Sequence, residues 1–167
     1  MRVVLIYILM LIGGCAYGPP TLRVYSPEHY GELVFPERNL EKIAQNSIFG
    51  VSLYPQIIVQ SHRAKTATAC VRAYFSGQDP VIEISNLVMT NANGIAFNGV
   101  QVDRNDALHT SHPEGLLNFR VICKSSYGWS QIEEGRISMS FSASINGSRG
   151  RDYVFELDAG YVRYSGW

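Results

Sequence analysis

The residues best suited to chemistry lie between 103 and 114. Asp103, Asp106, His109, His112 and Glu114 make this the most polar stretch of the chain. His109 and His112 are three residues apart, so on a helix or tight turn they would offer two nitrogens to one zinc ion. Asp103 and Asp106 could supply oxygens to calcium. The spacing matches no established metal motif, and Pro113 and Gly115 break any regular element that would fix it. The plain reading is a solvated connection between strands. The chain has no Gly-x-Ser-x-Gly elbow, no His-Glu-x-x-His, no phosphate-binding loop and no dinucleotide fingerprint. No catalytic residue and no cofactor are expected.

Two aromatic segments suggest contact instead of catalysis. Tyr127-Gly128-Trp129 follows Cys123 in a Ser/Gly-rich stretch, and the chain closes with Tyr161, Arg163, Tyr164 and Trp167. Aromatics on loops and tails bury much area with few rotors, which suits a partner surface. The competing reading packs them on their own domain. Arg149 and Arg151 follow Asn146-Gly147. They make a basic loop tip that suits an anionic partner, or simply solubility and edge protection.

These residues sit in a chain of 167 with 14 basic and 14 acidic side chains. That balance argues against a nucleic-acid partner, whose binder needs a basic excess to displace counterions. With 46% hydrophobic and 17% charged residues, disorder is excluded as well. The length suits one domain.

Residues 1–12 carry a single charge, Arg2, followed by an apolar run from 3 to 12. Ten apolar residues span only about 15 Å as a helix, half of a hydrocarbon core, so the run reads as a signal-peptide segment. Leu11-Ile12-Gly13-Gly14-Cys15 follows it. This resembles the lipobox of bacterial lipoproteins. The resemblance covers residues 1–15 only. It implies that residues 1–14 are removed, that Cys15 becomes lipidated, and that the protein is held to a membrane by acyl chains. Several chains make such an anchor effectively permanent. Ala16, where inner-membrane lipoproteins tend to carry Asp, implies the outer membrane. Loss of the leader leaves 153 residues with a net charge of −1. In an oxidising envelope compartment the two remaining cysteines, Cys70 and Cys123, are expected to bridge, a stabilisation of about 4 kcal/mol. The alternative is two buried thiols.

The elements that must position these groups are mostly strands. Residues 16–20, with Pro19-Pro20, read as an extended tether. Residues 21–25 read as a first strand, and 39–46 as the one short helix, with Asn39 as its cap and Leu40, Ile43 and Ala44 on one face. Residues 48–53 form an apolar run broken by Pro55, Ile57-Ile58-Val59 continues as strand, and Ser61-His62-Arg63 turns. Residues 67–75 alternate, with Ala67, Ala69, Val71, Ala73 and Phe75 on one face and Cys70, Arg72 and Tyr74 on the other. Strands are also expected over 81–89 (Ile82, Ile84 and Leu87 inward), 95–102, 116–124, 137–145, 153–157 and 161–164. Ile137, Met139, Phe141, Ala143 and Ile145, interleaved with four serines, give the cleanest half-buried strand. Asn146-Gly147 is a hairpin signal.

About eight to ten short strands at close to ten-residue spacing predict an all-β antiparallel sandwich over residues 21–167. The 53-residue separation of Cys70 and Cys123 is similar to the inter-sheet bridge of immunoglobulin-like sandwiches. Trp129, however, lies after the second cysteine and not between the two, so the architecture carries over and the family does not. The function expected is a non-enzymatic, outer-membrane-anchored lipoprotein that binds a protein partner, as an accessory or structural component of an envelope assembly. The alternatives are a periplasmic or surface ligand-binding or inhibitor module, and a metal-dependent enzyme built on His109 and His112.

Overall fold

A computed structural model describes residues 21–28, 36–60, 64–106, 109–110 and 117–162. Two antiparallel sheets face each other. The first has the order β1 (Thr21–Tyr25), β9 (Arg151–Val162), β8 (Gly135–Ile145), β4 (Ile82–Asn91). The second runs β2 (Val51–Gln60), β3 (Thr66–Phe75), β7 (Asn118–Gly128), β5 (Val100–Asn105), and the two-residue β6 (His109–Thr110) also pairs with β7. One short helix, α1 (Leu40–Gln45), precedes β2. No helix among the described residues is long and apolar enough to cross a membrane.

Side-chain alternation builds the sandwich directly. In β8, Ile137, Met139, Phe141, Ala143 and Ile145 are all buried, and the intervening serines face outward. In β3 the 67–75 alternation holds throughout: Ala67, Ala69, Val71, Ala73 and Phe75 enter the main core. The small alanines share this core with the larger Met139 and Phe141 of β8. Among the described residues four that are not glycine have their φ in the left-handed region, and one of them, Asn86, lies in a bulge of β4 between Ser85 and Val88. That bulge shifts the phase, which is how both Ile84 and Leu87 face inward.

The outer face of the second sheet is also covered. Ile43 of α1 packs with Tyr54, Tyr74 and Leu117. Cys70, Val121 and Cys123 form a neighbouring cluster. The disulfide is present, with the Cα atoms of Cys70 and Cys123 3.9 Å apart. It joins directly paired residues of β3 and β7 within one sheet, not residues of two sheets. The immunoglobulin-like placement is therefore corrected: ordinary alternation turns Cys70 outward in β3, and the bulge at Lys124 in β7 turns Cys123 to the same outer face.

Several details of the elements differ from expectation. β2 continues through Pro55, which pairs with Val71, because β2 is an edge strand and edges tolerate a residue without N–H. β9 is one strand and not two. The 95–102 strand begins only at Val100, after Phe97 N–H has bonded to the Met89 carbonyl at 2.9 Å. Finally, the expected Asn39 side-chain cap on α1 is not made, although the Asn39 carbonyl accepts the Ile43 N–H at 2.9 Å.

The sheets meet along β4 and β7. Met89 N–H donates to the Tyr127 hydroxyl at 3.3 Å, and the Ser125 hydroxyl donates to the Leu87 carbonyl at 3.2 Å. These bonds satisfy β4 groups that would otherwise form an open edge. The sandwich thus has two ends. One carries α1, the starts of β2 and β4, and the β8–β9 hairpin. The opposite end carries Thr21, Val162, the turn after Asn91 and a 3-10 turn, Trp129–Gln131.

Candidate functional site

The helix end carries an apolar cleft beside a displayed aromatic. Ile48 and Val51 exchange both backbone hydrogen bonds, at 2.8 and 3.0 Å, around Phe49 and Gly50. Both central residues have positive φ, 51° and 75°, the signature of a type I′ turn. Phe49 is 67% exposed at its tip. Behind it the Ser52 hydroxyl donates to the Ile43 carbonyl, which fixes α1 against β2. Between helix and sheet lies a cleft of about 290 Å³, lined by Leu40, Ala44, Gly50, Phe75 and Leu117 among others. Among the described residues its lining includes serines and Tyr74 but no carboxylate, imidazole, ammonium or guanidinium. Such a lining recognises apolar shape, not charge.

A second cleft of about 310 Å³ opens between the sheets at the same end, where Val51 and Leu53 face Tyr153 and Phe155. Phe141, Tyr153 and Phe155 stack there with centroids 5.2 to 6.4 Å apart. Burial raises the Tyr153 pKa above its ordinary value, and the Arg151 charge partly opposes that.

The outer face of the second sheet holds a polar–aromatic platform. Arg72 lies 4.9 Å from the Phe119 ring centroid, and its Nε and Nη1 donate to Gln56 at 2.9 Å and to the Tyr74 hydroxyl at 3.1 Å. His109 stacks on the same Phe119, with centroids 5.1 Å apart. That contact is what the structure gives His109. His112 and Glu114 lie outside the described residues. Among the described residues no group of three or more His, Cys, Asp or Glu could hold a metal. Two carboxylates of this stretch are in ion pairs: Asp103 with Lys124 at 2.6 Å, and Asp106 with Arg104 at 2.7 Å. Asp103 itself belongs to strand β5, not to a loop.

The aromatic partner surface is placed differently from expectation. Tyr127 is in β7 and 3% exposed, and Trp129 is 7% exposed. Both belong to the main core, because strand periodicity continues past Cys123 and turns Tyr127 inward. Tyr161 is half-buried; its hydroxyl donates to the Trp129 carbonyl at 2.8 Å and its ring packs edge-on against Trp129. These three side chains staple the end of β9. Tyr161 also has a raised pKa, from burial first and the Glu134 charge second. Arg163, Tyr164 and Trp167 lie outside the described residues, as does Cys15. Arg149 and Arg151 are exposed beyond the hairpin.

Phe49 and its cleft carry a weak signal in the sequence. Phe-Gly inside an apolar run reads as strand, and only the positive φ of both residues marks a turn. No protein-family model, no curated protein and no solved structure matches the chain.

Proposed function

We propose that the chain is a lipid-anchored protein of the bacterial outer membrane, non-enzymatic, that binds a protein partner as an accessory or structural part of an envelope assembly. The observation that carries the location is Leu11-Ile12-Gly13-Gly14-Cys15 at the end of a ten-residue apolar run. The disulfide of Cys70 and Cys123 accords with an oxidising compartment. Partner binding is supported by the uncharged cleft and by the exposed Phe49 beside it, since an apolar lining with no paired acid and base suits contact more than bond-breaking.

Intact-mass analysis of the protein extracted from membranes tests the anchor. A mature chain beginning at Cys15 and carrying acyl groups is the expected result. Cys15→Ser should leave residues 1–14 attached and the protein unacylated. A native protein that begins at Met1, or is cut elsewhere, overturns the reading.

A further inference from the structure

Two tight turns at the helix end share a backbone geometry and differ in sequence. Asn146 and Gly147 have φ of 51° and 72°; Phe49 and Gly50 have 51° and 75°. Asparagine suits the left-handed slot because its short polar side chain bonds locally. At position 146 the Asn side chain also makes a tertiary contact, its Oδ1 accepting the N–H of Val81 just before β4 at 3.0 Å. Phenylalanine has no such compensation, and a bulky residue at positive φ is an outlier. Burial does not repay the strain either, since the ring is 67% exposed. Folding alone would favour Asn at position 49. Strain of this kind gathers at functional positions. Gly50, the next residue, already lines the cleft with Leu40, Ala44 and Leu117.

The chain outside the described residues says which way this end points. Thr21 pairs with Val162 at the opposite end of the sandwich. On the lipoprotein reading above, on which this inference rests, only residues 16–20 separate the lipidated Cys15 from Thr21. Five residues reach at most about 18 Å. β8 has 11 residues, so the sandwich is about 35 Å from end to end. The anchor therefore holds the Thr21 end toward its bilayer and turns Phe49 away from it. Lipid of the anchoring membrane is the wrong occupant, and a cleft without charge is the wrong chemistry for an anion.

We infer that Phe49 is the anchor of a protein-docking surface at the membrane-distal end. Its ring enters an apolar pocket of a partner protein, and the cleft between α1 and β3 receives an apolar side chain of that partner. One exposed aromatic beside a pocket is the arrangement in which a few residues carry most of the binding energy.

The test uses the full acylated chain in its producing cell, with p-benzoylphenylalanine at position 49 or, as control, at the exposed Val154 on the outer face of the first sheet. Position 49 should give a discrete adduct with a second protein, mapped to an apolar peptide of that protein, and position 154 should not. With that partner purified, Phe49→Asn should weaken binding about 30-fold or more, without lowering the melting temperature. Adducts to lipid alone, adducts only to a second copy of this chain, no adduct at position 49, or binding changed less than threefold by Phe49→Asn each overturn the inference. The two proposals fail separately. Absence of acyl groups on Cys15 removes the anchor while the Phe49 contact remains measurable. Acylation together with lipid adducts or none at position 49 keeps the anchor and removes the docking surface.

Discussion

Gly99→Ala tests how the two sheets are held together. A Cβ at Gly99 would lie 2.6 Å from Cε1 of Tyr127 and 3.0 and 3.1 Å from its Cζ and Cδ1. The ring has little freedom to retreat. It is 3% exposed, sits edge-on to Phe97 at 6.3 Å, and its hydroxyl accepts the Met89 N–H. The backbone at 99 is also held on both sides. Phe97 N–H bonds the Met89 carbonyl at 2.9 Å, and Val100 pairs with Ser126. Overpacking a fixed site costs about 1–3 kcal/mol. If the ring swings aside instead, the Met89 N–H loses its partner, a loss of about 1–3 kcal/mol by another route. For a domain of this size each kcal/mol lowers the melting temperature by about 2–4 °C. Urea denaturation of Gly99→Ala should thus show a lower midpoint at an unchanged slope. In a double-mutant cycle with Tyr127→Leu, the Ala substitution should cost much less once the ring is gone, a coupling of at least about 1 kcal/mol. A loss below about 0.5 kcal/mol, or additive effects, would show that the 97–100 segment yields and that this corner is not tightly packed.

Phe49→Asn should raise stability by about 0.5–1 kcal/mol, read by thermal melting, because Asn escapes part of the roughly 1–2 kcal/mol that the left-handed region costs an ordinary residue; an equal or lower melting temperature sinks the strain argument. Replacing both Cys70 and Cys123 by Ala should cost about 2–4 kcal/mol in urea. Both cysteines are fully buried, so dithiothreitol should reduce the folded protein far more slowly than the urea-unfolded one, a difference readable by thiol alkylation. Stability should fall as pH rises above about 10. The raised pKa values of Tyr153 and Tyr161 mean that the folded state keeps protons which the unfolded state releases there, so the contribution is whole below the unfolded pKa and is lost through the folded one. Tyr161→Phe should shrink that alkaline loss, and an unchanged pH profile would refute the assignment.

Much of the architecture was legible locally. Period-two alternation over 67–75 and 137–145 names the inward residues, because successive side chains of a strand must point to opposite faces. Asn146-Gly147 marks its hairpin because few residues accept that backbone. The proposed leader is an equally local reading, resting on charge, apolar length and small residues before Cys15. Pairing is not local. Nothing along the chain says that β3 lies beside β7, so the Cys70–Cys123 bridge could not be assigned to one sheet or to two. Nor does alternation survive bulges: extra residues near Asn86 and Lys124 reset the phase.

The candidate surface shows the same division. Aromatic content at 127–129 and 161 suggested exposure, and the sheet pairing buried it, because β7 runs on to Gly128 and β9 brings Tyr161 against Trp129. Residue types along the chain set the apolar positions and the strand alternation and carry the leader-like pattern. Long-range pairing displays Phe49 on a strained turn, opens a cleft beside it and puts this end opposite Thr21. Those facts depend on which strands meet across many intervening residues, and local side-chain pattern does not encode the pairing of distant edges.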